Sequence, residues 1–268
     1  MNQRIPIDTP LAKWVDALSS PSTYAGHTIE SPPTVRVYQQ TASTQDIARQ
    51  YRGGWFVALA DEQTAGRGRL GRAWVAPQGS AVLMSMRWPC LNADRSLDTL
   101  AYRVAVAAAE TAQRFLKDTD HEVRIKWPND ILVDGRKLAG ILIERGDDAA
   151  IIGIGLNVSL AEPDLAGLPE ELAGHITSLA MLSRPTDRLA VAAELIARCH
   201  RCLSSPHDKL LLDEWRCRST LGYEARFHSA GEDITGTVID LDPELGLIVR
   251  RDSGEIVYLP AATTTVLP

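Results

Sequence analysis

Residues 122–160 read EVRIKWPNDILVDGRKLAGILIERGDDAAIIGIGLNVSL, and no other stretch limits the fold as much. Val123, Ile125 and Trp127 alternate with Arg124 and Lys126, the two-residue period of a half-buried strand. Pro128-Asn129-Asp130 must break that strand. Asp134-Gly135 signals a hairpin turn. Strands follow over 137–144 (KLAGILIE) and 149–160 (AAIIGIGLNVSL). Strands in series with turns this short predict an antiparallel meander, because parallel neighbours need a long crossover.

Shorter strands are predicted over 35–38, 55–60 and 80–88. A helix is predicted from Asp98 to Lys117, with Leu100, Ala101, Val104, Ala108, Ala112 and Phe115 as its buried stripe. Two more are predicted over 185–203 and 208–216, after a loop-rich stretch at 162–184. Beyond Ser219 the texture changes to short strands separated by Gly, Asp and Pro, which predicts a small SH3-like β-barrel. The fold class is therefore α+β, with a mixed, largely antiparallel sheet in a domain of residues 1–218 and an SH3-like domain over 219–268. Residues 1–33 hold one short helix, Leu11–Leu18, with breaks at Ser20-Pro21 and Ser31-Pro32-Pro33.

Composition permits a packed core, since 45% of the 268 residues are hydrophobic. No run approaches the ~20 apolar residues of a membrane span, and MNQRIPIDTP lacks the apolar centre of a signal peptide. The cysteines are Cys90, Cys199, Cys202 and Cys217. Cys199 and Cys202 fall on the apolar stripe of a predicted helix, with Leu189, Ala192, Leu195 and Ile196, which favours core packing. The other reading is a zinc site recruiting Cys217 and His207, but no second C-x-x-C completes it. The simplest compartment is the cytoplasm, with the thiols reduced.

Residues 61–74, DEQTAGRGRLGRAW, are the most chemically distinctive. Gly66, Gly68 and Gly71 alternate with Arg67, Arg69 and Arg72, and Trp74 follows. Glycine lets the backbone approach a ligand closely, and guanidinium forks suit carboxylates and phosphates. Such a loop closes over an anionic small molecule, binds nucleic acid, or is merely solvated. The formal charge of −6 argues against a general nucleic-acid binder.

Polar groups gather at neighbouring strand ends. Lys126, Asn129 and Asp130 share one segment, Lys137 follows the hairpin, and Asn157 ends the next strand. Singly, these are solvated strand residues or turn formers. Together with the arginine loop they suggest a nucleotide site that works by positioning and charge. Ser43 or Thr44 is placed to cap a helix, with Asp46 at the capping-box spacing from Ser43. No Walker phosphate loop is present, and Gly153-Ile154-Gly155 lacks the third glycine of a dinucleotide fingerprint.

GRGRLGRAW, KWPNDILV, GRKLAGILIE and GIGLNV, in this order, resemble the motif set of biotin–protein ligases. The similarity is strong over about residues 35–160, and the terminal β segment is similar in kind to that family's small domain. The resemblance implies helices on one face of the sheet. It implies ATP and biotin as substrates, with magnesium, and a two-step reaction through biotinyl-5'-adenylate. On the biotin side it implies Ser43, Thr44, Gln45, Gln63, Gly66, Arg67, Gly68, Arg69, Lys137, Gly140 and Gly153. On the ATP side it implies Arg69, Arg72, Trp74, Lys126, Asn129, Lys137 and Asn157, with Asp130 near the metal. Lys137 and Arg69 are the implied catalytic charges. Gln45 stands where the family has asparagine. A biotin carboxyl carrier domain is the implied partner of a monomer or homodimer, with no membrane. Some family members carry an N-terminal DNA-binding domain; Val35 lies too early for one, so no DNA binding is expected.

Overall fold

The structure is a computed structural model that describes residues 8–19, 23–24, 27–29, 31–89, 96–166 and 173–267. A 3-10 turn (Leu11–Lys13) leads into α1 (Trp14–Ser19), where a helix over 11–18 is predicted. Two-residue strands β1 (Thr23–Tyr24) and β2 (His27–Thr28) precede β3 (Thr34–Thr41), α2 (Thr44–Gln50) and β4 (Phe56–Gln63). Then come β5 (Ala81–Pro89), α3 (Leu97–Phe115), β6 (Val123–Lys126), β7 (Asp130–Val133), β8 (Arg136–Arg145) and β9 (Ala149–Asn157). Short helices α4 (Glu162–Leu165) and α5 (Leu179–Leu182) lead to α6 (Arg188–Ser204) and α7 (Asp208–Arg218). The chain closes with β10 (Glu224–Ser229), β11 (Glu232–Asp242), β12 (Gly246–Arg250), β13 (Ile256–Leu259) and β14 (Thr264–Val266). Cys90, Ser20-Pro21 and residues 1–7 lie outside the described residues.

Seven strands form the main sheet in the order β3-β4-β5-β9-β8-β7-β6. The meander is present from β6 to β9, each strand antiparallel to its sequence neighbour. The pairing of β3 with β4 is parallel. The residues between them include α2, and a helical crossover is what parallel neighbours require. That crossover also sets the faces. Val57 and Leu59 join the large core with α3, α6 and α7, whereas Phe56 and Ala58 pack with Ala48 of α2. Alternate residues of a strand point to opposite faces. Helices therefore cover both faces, and the expected single helical face is corrected: α2 lies on the other side. Its short length leaves most of that face for the site.

α3 is the central core helix. Ser96 caps it, its Oγ accepting from Thr99 N at 3.0 Å. Leu100, Val104, Ala108 and Ala112 are buried, and full burial of each large aliphatic stabilises by about 1.5–3 kcal/mol. Arg103, fully buried on α3, donates to the carbonyls of Cys202 (2.6 Å) and Ser205 (2.9 Å) and pairs with Asp208, so it joins α3 to α6 and α7.

Residues after 219 form a five-stranded antiparallel sheet in the order β13-β12-β11-β10-β14. It shares a core with the main sheet, where Trp127 meets Phe227 edge-on at 6.4 Å. Asp98 accepts from Ala261 N at 2.6 Å, and Arg216 holds Asp240 with two bonds of 2.8 Å. No helix among the described residues is long and apolar enough to cross a membrane.

Cys199 and Cys202 are buried on α6, and Cys217 is exposed. Cys199 and Cys202 pack in the main hydrophobic core, as the apolar stripe predicts, and among the described residues no cluster of three His, Cys, Asp or Glu could hold a metal. Burial pushes the Cys202 thiol up to about 12 and the Cys199 thiol well above its usual value. Iodoacetamide should therefore label Cys217 in the native protein and reach Cys199 and Cys202 only after denaturation. Peptide mass spectrometry reads this, and native labelling of Cys199 would contradict the packing.

Candidate active site

A cavity of about 260 Å³ opens on the α2 face of the main sheet. Its floor is the row of β5, β9 and β8 residues that carries Ser85, Gly153, Gly155 and Gly140. One wall is the N-terminus of α2. Ser43 caps that helix, accepting from Gln45 N at 3.3 Å. Thr44 donates to Gln63 Oε1 from its backbone (2.7 Å) and its hydroxyl (3.0 Å), and its Oγ1 lies 2.7 Å from Ser85 Oγ. Gln45 Nε2 donates to the Ile151 carbonyl at 3.2 Å. Gln45 Oε1 is buried without a partner, and a Cβ on Gly153 would lie 2.7 Å from it. An unpaired buried acceptor costs about 1–3 kcal/mol, and a ligand N–H would relieve that.

The capping box expected from Ser43 and Asp46 is only half formed. Asp46 instead takes Arg67 in two bonds of 2.9 and 2.6 Å. Its hydrogen bond to Arg67 holds the carboxyl below the usual range. The arginine loop is itself a hairpin, with Gly68 N donating to Arg72 O (2.7 Å) and Trp74 N to Gly66 O (2.9 Å). A Cβ on Gly66 would lie 2.5 Å from the Trp74 carbonyl, so only glycine fits this hinge. Leu70 and Gly71 turn the tip at φ 55 and 74.

Arg69 turns inward. Nη1 donates to Asn129 Oδ1 (3.2 Å) and Nη2 to Thr264 O (2.8 Å), with a further bond to Ala261 O. Burial lowers its pKa, against the pull of Asp130. The Arg72 side chain is exposed and lines the cavity, and its guanidinium has no hydrogen-bond partner among the described residues. Two of the three guanidinium groups expected to face an anion thus hold protein groups as well.

Lys137 reaches the cavity through a bulge. Lys137 pairs with Leu132 and Ala139 with Ile131, leaving Leu138 as the extra residue. Residues 137 and 140 would point to opposite faces of a regular strand. Here they share one, since a Cβ on Gly140 would lie 3.1 Å from Lys137 Nζ. Lys137 Nζ lies 2.6 Å from Asp130 Oδ1, which also accepts from Asn129 Nδ2 at 3.1 Å. Lys126 lines the rim and is exposed.

Two of the expected residues stand apart. Asn157 is buried outside the cavity, and its Nδ2 donates to Thr177 O at 3.0 Å, a pin for the segment after β9. Gly66 is the loop hinge and does not line the cavity. The other residues named on the biotin and ATP sides, and Asp130, line it. Leu70, Ser85, Gly155, Thr265 and Val266 also line it and were not among the expected site residues. A signal existed for Gly155, because Gly153 and Gly155 stand two apart on a strand and so share a face. Thr265 and Val266 gave none.

A glycine-floored cavity with one inward lysine and an arginine loop at its mouth defines a site for a small ligand that carries negative charge. Comparison with known proteins narrows the class. A family described as "Biotin/lipoate A/B protein ligase family" matches residues 32–158. The biotin–[acetyl-CoA-carboxylase] ligase of Mycobacterium tuberculosis is 32% identical over 254 residues, covering 83% of this chain and 88% of that one. The biotin protein ligase of Aquifex aeolicus, solved with biotin and ATP, superposes with a TM-score of 0.75 at 24% identity, over 87% of this chain and 98% of that one. The Leishmania major biotin protein ligase, solved with biotinyl-5-AMP, gives 0.61 at 26% identity, over 85% and 99%. The chain belongs to the biotin–protein ligase family.

Proposed function

We propose that this protein is an ATP-dependent biotin–protein ligase. It joins biotin to the α-phosphate of ATP as biotinyl-5'-adenylate, then passes the biotinyl group to a lysine of a biotin carboxyl carrier domain. The observation that carries the reading is convergence: the arginine loop, Lys126–Asp130, Lys137 with Gly140, and Gly153 line one cavity.

In the first step a biotin carboxylate oxygen bonds to the α-phosphorus and pyrophosphate leaves. In the second an acceptor amine attacks the acyl carbon and AMP leaves. The protein must bring two anions together and shield the anhydride from water. Lys137 supplies positive charge where the carboxylate meets the phosphate. Gln45 Oε1, an acceptor without a partner, suits a ureido N–H. Trp74 and Arg72 serve the nucleotide side, and the hairpin 66–74 covers the intermediate.

Magnesium is held chiefly by substrate phosphates and water with one or two carboxylates. Asp130, the acidic side chain lining the cavity, spends Oδ1 on Lys137 and Asn129 and so fits as one such ligand through Oδ2. The metal supplies neutralisation of the phosphate charge. We read residues 1–218 as the catalytic domain and 219–268 as an SH3-like terminal domain, on the strength of five antiparallel strands. A cytoplasmic location fits Cys199, Cys202 and Cys217 standing free of disulfides.

The test is pyrophosphate release from ATP, comparing biotin with lipoate, with and without a carrier domain. A biotin-dependent burst followed by carrier-dependent turnover is expected. Turnover with lipoate alone would move the protein to the lipoate branch of the family, and silence with both would overturn the ligase reading.

A further inference from the structure

Gly140 and Gly155 are register partners on the adjacent strands β8 and β9. Neither has a positive φ, so the backbone itself would accept alanine at both. Space is what excludes a side chain. A Cβ on Gly155 would lie 2.3 Å from Trp74 Cε2 and 2.5 Å from Cζ2, and one on Gly140 would lie 2.7 Å from Cζ3. Two strands side by side without Cβ atoms leave a flat patch of bare backbone, and the indole lies on it.

Trp74 closes the base of the arginine hairpin through its backbone bond to Gly66. Its ring is therefore the anchor by which that hairpin rests on the sheet. A seated indole buries about 150–250 Å², far more apolar surface than a hairpin of glycine and arginine offers. The seat leaves Trp74 Nε1 buried without a partner, a cost that the seating must offset. Lys137 Nζ lies 5.5 Å from the ring centre, so the same ring also borders the catalytic lysine.

We propose that Gly155, with Gly140 beside it, is a positioning residue: it seats Trp74 and thereby holds the arginine hairpin closed over the site. A methyl group at 155 lifts the ring and releases the hairpin, while the sheet beneath is unchanged. Where turnover is concerned this rests on the ligase reading. Seating itself does not, and the experiment separates the two.

Limited trypsin digestion of the full chain, read by mass spectrometry, reports opening of the hairpin through cleavage after Arg67, Arg69 and Arg72. Gly155→Ala should speed that cleavage about tenfold and leave Tm within about 2 °C of the parent. Trp74→Ala should speed it equally, and adding Gly155→Ala to Trp74→Ala should add nothing, since both act through one contact. Trp74→Phe, with a narrower ring, should partly restore protection in the Gly155→Ala protein. In turnover, Gly155→Ala should raise KM for ATP about tenfold with a smaller change in kcat. Parental cleavage rates in Gly155→Ala, or a Gly155→Ala effect of full size in the Trp74→Ala background, would overturn the proposal. If Gly155→Ala does not fold, Trp74→Ala alone decides, and unchanged cleavage there would overturn it. Faster cleavage in a protein with no biotin-dependent activity would uphold the seat and sink only the ligase reading.

Discussion

Lys137→Ala is expected to cut biotin-dependent pyrophosphate release by about 10²–10³-fold, the usual loss when a preorganised charge at a developing anion is removed. The lysine is well prepared for that role. The bulge at Leu138 turns it onto the cavity face, and its backbone is held by Lys137 N to His175 O (2.7 Å) and Thr177 N to Lys137 O (2.9 Å). Its partner is Asp130, and a substrate phosphate would take over that charge. The fold should survive. The Lys137 and Asp130 side chains are 30% and 23% exposed, so water can solvate the carboxylate left behind. Lys137→Arg should not restore the rate, because a planar fork cannot take the place of a compact ammonium between Gly140 and the Trp74 ring. Near-parental pyrophosphate release by the alanine variant would remove Lys137 from the mechanism.

Arg69→Gly should shorten the lifetime of the bound adenylate by tenfold or more, at ~1.4 kcal/mol per decade. The guanidinium ties the hairpin to Asn129 and to the carbonyls of Ala261 and Thr264. Hydrogen bonds from a charged donor are worth about 1.5–3 kcal/mol each, so losing them together frees the hairpin and leaves two carbonyls unpaired. An adenylate that escapes acylates any accessible amine. Labelling of a bulk protein such as serum albumin should therefore rise as the adenylate off-rate rises. An unchanged off-rate would show that Arg69 does not keep the site closed.

The meander and α3 were legible because both rest on local rules. Two-residue alternation, the Asp134-Gly135 turn and the alanine-rich stripe of α3 each lie within a short window. The parallel β3–β4 pair was not, since parallel pairing leaves no mark at the residues that make it. Nor was the position of α2, which follows from that crossover. At the site, motif spacing located Lys137, but the bulge that aims it depends on its neighbour strand. The ties of Arg69 to the protein were not legible, because its acceptors are backbone carbonyls 192 and 195 residues away, and any residue could supply those. Asn157 stands outside the cavity for a related reason. A strand end can turn its side chain to the cavity or to the next loop, and Thr177 decides which.

The Arg69 clamp also bears on the order in which the molecule assembles. Its bonds to Ala261 and Thr264 join points 192 and 195 residues apart in the sequence. Closing so long a loop gains nothing until both sheets exist to hold its ends, whereas the β6–β9 hairpins can pair at once. During refolding, sheet signals should recover while the hairpin still samples open states. A chain that has regained its secondary structure is then not yet a chain that can retain a reactive anhydride.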